Sequence, residues 1–320
     1  MSPTIPGRRR GRLASPRPPR VVVLGDLMLD VVLAPARPLQ DGTDVPGRVA
    51  LRQGGSAATT ARWLARLGAR STLVCAVGRD HEGRGLVAAL EGDGVRVRAT
   101  RVAGQRTGRI GVVVTPGGER SFVADRAAAD RLAPRDLAAS MFRVDLLHLP
   151  AYSLLGEPLG QAGRRAIELA RAGATLVSLD LSSVGPLLAD GRRAALRLVR
   201  QTAPDVLFAT RAEAEAIVGG PDITGLGEIA PIVVIKQGRS GASVLATSAT
   251  GRLAFDVATP PLEAADSTGA GDAFDAGFLV AWLGADAAAR HRPATLHRAV
   301  VAAHRAAARQ LSTTPTELAW

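Results

Sequence analysis

A short segment, Gly269-Ala270-Gly271-Asp272, combines residue types that suit phosphoryl chemistry. Phe274 and Phe278 follow it at helical spacing, which predicts a helix that begins near Gly269. Glycines allow a ligand to approach the backbone closely, and the free amides at a helix N-terminus attract a phosphoryl group. An aspartate in the first turn is in place to accept the proton of an attacking hydroxyl. The segment therefore predicts an anion hole, a set of backbone amides that binds a negative group, with Asp272 beside it.

Other interpretations of this segment fit it to different degrees. In the simplest, Asp266 or Asp272 only caps a helix and the glycines only turn the chain, and this alternative stays open. A dinucleotide fingerprint requires a third glycine where this chain has Phe274. A Walker A loop requires a glycine ladder before its lysine, and the only lysine, Lys236, has none. The last two interpretations are therefore excluded.

A second glycine pair, Gly54-Gly55, precedes another predicted helix over residues 56–67. Small and apolar residues line one face of that helix, with Ser56 as the predicted N-cap and Gly68 as the residue that ends it. Paired glycines before a helix again permit a ligand to approach closely. Taken alone, the pattern is more often a tight turn into a core helix.

The elements that must position these residues alternate along the chain. Short β-branched runs predict strands at 21–24, 72–77, 110–115, 144–149, 175–180, 206–208 and 232–236. Helical patterns are found near 56–67, 83–92, 157–172, 191–201, 211–218, 270–284 and 293–310. Such alternation predicts an α/β fold of three α/β/α layers, with a central, mostly parallel sheet covered on both faces by helices.

Two stretches interrupt this alternation, at about 31–52 and 107–123. Each contains two strand-like runs around a turn-forming centre, which is Pro116-Gly117-Gly118 in the second stretch. Both predict antiparallel ribbons with no helix between the strands. We therefore expect a small β lid inserted in the α/β domain.

The two glycine-led segments, 54–68 and 265–278, together resemble the signature regions of the ribokinase-like, or PfkB, family of carbohydrate and nucleoside kinases. The resemblance extends from about Val21 to about Leu311 and implies a ribokinase-like fold in one kinase domain, residues 21–315. It also implies phosphoryl transfer from ATP to a hydroxyl of a small sugar or sugar-like metabolite. A nucleoside acceptor is the alternative within the same family. The family resemblance further allows a homodimer that forms through the lid.

The same resemblance implies roles for individual residues. Asp272 is expected to be the general base, and the anion hole is expected to consist of Gly269, Ala270 and Gly271. The implied substrate-binding residues are Asp30, Gly54, Gly55 and Thr59. The implied nucleotide-binding residues are Thr210, Glu213, Lys236, Gly238, Gly241 and Thr268. Glu213 is also expected to help organise Mg²⁺, and a monovalent cation is allowed; for Lys236 the alternative is a solvated strand end.

Three positions depart from the family pattern, because Thr59, Thr210 and Ser182 stand where the family usually has Asn. A hydroxyl cannot present the paired donor and acceptor of an amide. We therefore expect an altered substrate preference or a reduced rate. A regulatory protein that binds sugar or nucleotide without turnover is the alternative from another functional class.

Composition limits the remaining function classes. The net charge is +11, but six arginines lie in the first 20 residues, a Pro- and Arg-rich stretch that predicts a disordered basic tail. Arginine supplies 39 of the 40 basic residues and asparagine is absent, so residue choice in this chain is biased. The basic residues therefore reflect this bias in composition more than a nucleic-acid site. No apolar run is long enough to span a bilayer, and no signal peptide is recognisable. We expect a cytoplasmic protein that binds neither nucleic acid nor membrane.

Cysteine and histidine offer no chemistry of their own. Cys75 is the only cysteine and lies in an apolar run, which predicts a buried strand residue and excludes a disulfide within the chain. The five histidines show no pairing typical of a metal site, so we do not expect a catalytic zinc.

Overall fold

A computed structural model describes residues 17–115, 120–248, 251–260, 262, 267–313 and 317–318. Its strands are β1 (Arg20–Leu24), β2 (Met28–Pro35), β3 (Gly47–Gly54), β4 (Arg70–Gly78), β5 (Arg96–Val102), β6 (Arg109–Val114), β7 (Arg120–Asp125), β8 (Leu146–Pro150), β9 (Leu176–Asp180), β10 (Val206–Thr210), β11 (Ile232–Lys236), β12 (Ala242–Ser248) and β13 (Gly251–Val257). Its α-helices are α1 (Ser56–Arg66), α2 (His81–Gly92), α3 (Leu159–Ala172), α4 (Val184–Leu187), α5 (Arg192–Thr202), α6 (Arg211–Val218), α7 (Ala270–Leu283) and α8 (Pro293–Ser312).

The main sheet has the strand order β13-β12-β11-β10-β9-β8-β1-β4-β5 within the described part of the chain. Neighbours from β11 to β5 pair in parallel, and β12 and β13 pair antiparallel at one edge. The order reverses between β8 and β1, so the connections leave these two strands in opposite directions. In open α/β sheets such a reversal opens a crevice beyond the carboxyl ends of the strands, where ligands bind.

Helices cover both faces of this sheet, which explains why its central strands are mostly apolar. On one face, Phe278 and Trp282 of α7 pack with Leu64 of α1 in a buried cluster. On the other face, α3, α5 and α6 contribute small and branched residues to a second cluster that includes Phe142. The three-layer α/β/α prediction is confirmed. Cys75 is buried in the first cluster, as predicted, and burial raises the pKa of its thiol to about 12.

A second, smaller sheet has the order β3-β2-β6-β7 and forms the lid. Its strands overlap the two stretches predicted as antiparallel ribbons, and β2–β3 and β6–β7 do pair antiparallel. The two ribbons join through a parallel pairing of β2 with β6, which also places the predicted strand at 110–115 in the lid. The turn predicted at 116–118 lies outside the described residues.

Asp80 joins the lid to the main sheet. Its carboxylate accepts hydrogen bonds from the Gly83 amide, which caps α2, and from the backbone amide and hydroxyl of Thr107, just before β6. Thr107 Oγ1 in turn accepts a bond from the Gly78 amide at the end of β4. Burial opposes ionisation of Asp80, but these donors prevail and lower the pKa of its carboxyl.

Three strands were not predicted from the sequence, and all lie toward the edges of the main sheet. β5 mixes apolar and basic residues and has no fully buried position, as its place at the edge of the sheet allows. β12 and β13 form a hairpin at the opposite edge, and the outer strand β13 is largely exposed. Such strands lack the continuous apolar run that marks a strand buried on both faces.

The described residues begin inside the predicted tail. Arg17 forms an ion pair with Asp145, and the Arg20 amide donates to the same carboxylate at the start of β1. Residues 1–16 lie outside the described part, so the prediction of a disordered tail stays a prediction. Among the described helices, none combines the length and apolarity that crossing a bilayer requires.

Candidate active site

The N-termini of α1 and α7 meet at the crevice, and each follows a glycine with a positive φ angle. Gly55 has φ 99° and Gly269 has φ 75°, a region that favours glycine. Ser56, the first residue of α1, donates a hydrogen bond of 2.6 Å from Oγ to Asp272 Oδ1 in the first turn of α7. Gly55 therefore occupies the N-cap position predicted for Ser56, and Ser56 contacts the expected general base instead.

The surroundings of Asp272, the expected general base, shift the pKa of its carboxyl toward neutral pH. Burial raises the pKa of its carboxyl to about 7, and the hydrogen bond from Ser56 partly opposes that rise. Asp180 raises the same pKa and Lys236 lowers it. A carboxylate with a pKa near the working pH is a more effective proton acceptor than one with the ordinary value of about 3.9.

The amides at the start of α7 differ in their availability. The Ala270 N–H donates to Ser267 O over 3.2 Å and so already has an acceptor. For the Gly269 and Gly271 amides, no acceptor is found in the described part of the chain. A Cβ on Gly271 would lie 3.5 Å from Lys236 Nζ, which places an ammonium group beside this turn. Ala265 and Asp266, the first residues of the predicted motif, lie outside the described residues.

Lys236 is buried between two aspartates, so its interpretation as a solvated strand end is wrong. Nζ lies 3.0 Å from Asp180 Oδ1 and 3.2 Å from Asp275 Oδ1, and the three side chains are 10%, 6% and 1% exposed. Burial opposes the charge on the ammonium, but the neighbouring carboxylates prevail and raise the pKa of Lys236. The group therefore stays positively charged at the crevice.

Parallel pairing explains why these groups converge. Thr210 at the end of β10 is in register with Lys236 at the end of β11, and Phe208 is in register with Asp180 at the end of β9. The carboxyl ends of these three strands therefore bring their polar residues to one edge of the sheet.

Thr210 and Glu213 form a capping box at the start of α6. Thr210 Oγ1 accepts a bond from the Glu213 amide over 3.2 Å, and the Thr210 amide donates to Glu213 Oε2 over 2.7 Å. Glu213 is buried, and burial together with the nearby Asp180 carboxylate raises its pKa. Glu213 Oε2 is therefore engaged in the capping box, and the other carboxylate oxygen can still face a cation.

Gly238 and Gly241 form the turn between β11 and β12, directly after Lys236. Their φ angles are 56° and 94°, and a Cβ on Gly241 would overlap the Val257 carbonyl oxygen. The Gln237 amide closes the turn by donating to Gly241 O over 2.9 Å. The turn therefore requires glycine at 241 whether or not a nucleotide contacts it, whereas a Cβ on Gly238 would meet open space.

On the predicted substrate side, Gly54 permits a close approach of Asp30. A Cβ on Gly54 would overlap the Asp30 carboxylate, which β2–β3 pairing brings against the glycine at the foot of the lid. Thr59 lies one turn into α1, where its hydroxyl donates to Gly55 O and its methyl faces Gly269. Thr59 therefore contributes a methyl group where an Asn would offer an amide.

Ser182, which stands where the family usually has Asn, has an unusual backbone conformation. Ser182 follows β9 with φ 62°, and its hydroxyl donates to Asp180 O over 3.0 Å. Asn adopts this left-handed conformation more readily than Ser does. The substitution therefore removes an amide from the crevice and adds some backbone strain.

Asp26, Arg126 and Tyr152 lie at the same crevice, although the sequence analysis assigned no role to them. Asp26 follows β1 and is 3% exposed; it accepts bonds from the Ala57 amide and from Arg126 Nη1. Arg126, which follows the lid strand β7, lies over the Tyr152 ring at 5.4 Å. An acidic residue two positions after the end of a buried strand was a usable signal for Asp26. Arg126 and Tyr152 are brought here by tertiary contacts alone.

Metal binding at this site would depend on the nucleotide. In the described ranges, no three carboxylate, imidazole or thiolate side chains lie close enough together to hold a metal ion. Mg²⁺ commonly takes one or two carboxylates and completes its shell with phosphate and water oxygens. The crowded Glu213 and Asp180 carboxylates, with raised pKa at Glu213, fit such a role.

Comparisons with known proteins agree with this geometry. The model of the pfkB family of carbohydrate kinases matches residues 18–318. A fructokinase from Klebsiella pneumoniae is 32% identical over 273 residues, covering 81% of this chain and 83% of its own length. A nucleoside kinase from Methanothermobacter thermautotrophicus is 31% identical over 242 residues, covering 73% and 72%. The fructokinase from Vibrio cholerae, solved with fructose, ADP and calcium, has the same fold, with a TM-score of 0.77 at 23% identity and coverage of 93% and 94%.

Proposed function

Because this chain belongs to the pfkB family of carbohydrate kinases, we propose that it transfers the terminal phosphoryl group of ATP to a hydroxyl of a small sugar, with Asp272 as general base. The observation that carries this proposal is the meeting of the two helix N-termini. There Asp272, with a pKa raised to about 7, lies beside the amides of Gly269 and Gly271.

In the proposed reaction, the sugar hydroxyl attacks the terminal phosphorus of ATP. Asp272 takes the hydroxyl proton, a new O–P bond forms, and the bond to the leaving oxygen of ADP breaks. The Gly269 and Gly271 amides and Lys236 would stabilise the negative charge on the transferred group. Asp30, held against Gly54, would orient the sugar by accepting hydrogen bonds from its other hydroxyls.

Mg²⁺ would neutralise charge on the β- and γ-phosphates, as in other phosphoryl transfers. Among the residues of this chain, Glu213 is the proposed protein ligand, directly or through water, and Asp180 lies close to it. A requirement for a monovalent cation stays a prediction.

A sugar acceptor is preferred because fructokinases are prominent among the relatives. A nucleoside acceptor is the second candidate, and the nucleoside kinase relative supports it. Both acceptors use the same phosphoryl site and would differ in their contacts to the lid. The lid sheet would close over either acceptor and exclude water.

The test is ADP release with Mg²⁺-ATP against a panel of pentoses, hexoses, keto-deoxy acids and nucleosides. Wild type is compared with Asp272→Asn, which keeps the side-chain volume but lacks a basic oxygen pair. We expect turnover on one acceptor class and a loss of at least about 100-fold in kcat in the variant.

Each outcome has a distinct meaning. Full activity of Asp272→Asn would overturn the assignment of the base. Absence of turnover on every acceptor, together with ligand-induced stabilisation, would favour the non-catalytic binding protein suggested by Thr59, Thr210 and Ser182.

A further inference from the structure

Gln310, in the last turn of α8, joins three parts of the active site. Its Oε1 accepts a hydrogen bond of 2.9 Å from Trp63 Nε1 on α1, and its Nε2 donates one of 2.9 Å to Thr268 O, just before α7. Neither the expected catalytic residues nor the expected binding residues include Gln310 or Trp63.

The orientation of the Gln310 amide is set by its partners. The indole nitrogen of Trp63 can only donate, so the amide oxygen must face it. The amide nitrogen then faces Thr268 O, which can only accept. The hydrogen bond from Trp63 thus ensures that the amide nitrogen of Gln310, and not its oxygen, faces the Thr268 carbonyl.

The Thr268 carbonyl belongs to the same peptide unit as the Gly269 N–H. A trans peptide is planar and its C=O and N–H point in opposite directions, so an oxygen held on one side directs the N–H to the other. Gly269 has φ 75°, and a glycine at such a position adopts alternative backbone conformations at little cost. A contact to the carbonyl therefore restricts the rotation of this peptide unit.

Packing around Gly269 supports the same conclusion. A Cβ at this position would lie 3.0 Å from Thr59 Cγ2 and 3.3 Å from Gln310 Nε2. The glycine is therefore enclosed between the methyl group of Thr59 and the amide of Gln310. The side chain that receives the Trp63 bond is thus also in contact with the first residue of the anion hole.

We propose that Gln310 is a positioning residue, which holds the Thr268–Gly269 peptide so that the Gly269 N–H points toward the transferred phosphoryl group. This inference rests on the proposed function, because it assigns a task to one amide of the proposed anion hole. Gln310 acts through the backbone and does not touch the reacting atoms.

Two variants test the role of the hydrogen bond that Gln310 Nε2 donates to Thr268 O. Gln310→Glu retains an acceptor for Trp63 but presents an oxygen to Thr268 O, and Gln310→Met fills similar space without either bond. We expect kcat to fall about 10- to 100-fold in both, somewhat less than removal of an oxyanion donor costs. The KM for the sugar should stay within about twofold of wild type. Gln201→Glu, an exposed position on α5, is the matched control for the added charge.

Nucleotide affinity provides a readout that does not require turnover. The Gly269 N–H would contact the terminal phosphoryl group, so Gln310→Glu should weaken Mg²⁺-ATP binding several-fold and leave ADP binding unchanged. Titration calorimetry in the Asp272→Asn background measures both affinities without hydrolysis.

A purely structural link between α8 and α1 would give a different result. Gln310→Met would then lower the midpoint of thermal unfolding, while kcat and the ratio of ATP to ADP affinity stayed at the wild-type values. That result would overturn the inference and leave the proposed kinase intact. A wild type without turnover, in which Gln310→Glu still changes the affinity ratio, would instead reject the proposed function and retain the role of Gln310.

Discussion

At the scale of single residues, the hydrogen bond between Ser56 and Asp272 is the contact with the most direct chemical consequence. It joins residues 216 positions apart and lies at the point where a hydroxyl would lose its proton. Burial raises the pKa of Asp272 to about 7, and the serine donor counteracts part of that effect. The pKa of the proposed base is therefore tuned by one hydroxyl from another helix.

We predict that activity falls as the pH drops below about 7, because protonated Asp272 cannot accept a proton. Ser56→Ala removes a donor that lowers this pKa, so its acid limb should move to higher pH. The measurement is kcat/KM against pH for both proteins, with exposed Gln201→Ala as a control. If kcat/KM fell at the same pH on the acid side for wild type and Ser56→Ala, the prediction would be contradicted.

Lys236 is the second residue with a clear energetic role. We predict that Lys236→Met lowers the free energy of unfolding by about 3–5 kcal/mol, because it leaves Asp180 and Asp275 buried without their cation. Urea denaturation measures the loss. The double variant Lys236→Met with Asp180→Asn should recover part of it, since it removes a buried carboxylate that has lost its cation. Equal stability of the single and double variants would argue against a charge effect.

At the scale of elements, Asp80 links α2, the end of β4 and the start of the lid. We predict that Asp80→Asn lowers the free energy of unfolding by about 1 kcal/mol, because an amide cannot accept all the bonds from Gly83 and Thr107. Asp222→Asn is the matched control, since Asp222 accepts hydrogen bonds from Thr224 within its own turn. Chemical denaturation distinguishes the two variants.

The Asp80 contribution also has a predictable pH dependence. A carboxyl with a lowered pKa in the folded state stabilises the protein fully above its ordinary pKa of about 3.9. The contribution is lost as the pH falls through the lower folded value. The stability difference between wild type and Asp80→Asn should therefore shrink in acid, and a difference that stayed constant down to low pH would contradict this account.

At the scale of the whole molecule, the lid carries exposed apolar side chains that the main domain does not cover. Leu33, Val49 and Val123 share one face of the lid sheet and are 38%, 65% and 71% exposed, and Phe122 is exposed on the opposite face. Such residues are typical of a surface that is covered in an assembly. We therefore propose that the chain forms the homodimer through the lid that the family resemblance allows.

We predict a dimer mass for the wild type by light scattering and a monomer mass for Val49→Lys with Val123→Lys. Lysines would place two charges on each copy of an apolar interface, where desolvation costs more than the contact supplies. Gln201→Lys, on the exposed side of α5, should stay dimeric. A wild-type monomer at micromolar concentration would reject the proposal.

The α/β alternation, the two glycine-led helices and the position of Asp272 in the first turn of α7 could all be predicted from the sequence. These features depend on neighbours along the chain: helical spacing, β-branched runs and the turns that glycine permits. The resemblance to one kinase family followed from the same local segments, and the family model confirmed it. Edge strands such as β5 were not predicted because exposure to solvent allows basic residues among the apolar ones. The sequence alone does not show which strands lie at an edge.

Only the tertiary structure decided which distant groups meet. The Ser56 bond to Asp272, the burial of Lys236 between two aspartates and the Trp63–Gln310–Thr268 chain all join separate elements. Each depends on strand order and helix packing, so residues 216 or 247 positions apart become neighbours. Local propensities specify the elements, whereas the pairing of those elements results from burying both faces of one sheet at once. For that reason Asp272 could be proposed as the base from the sequence, whereas the residues that contact it and surround it could not be identified there.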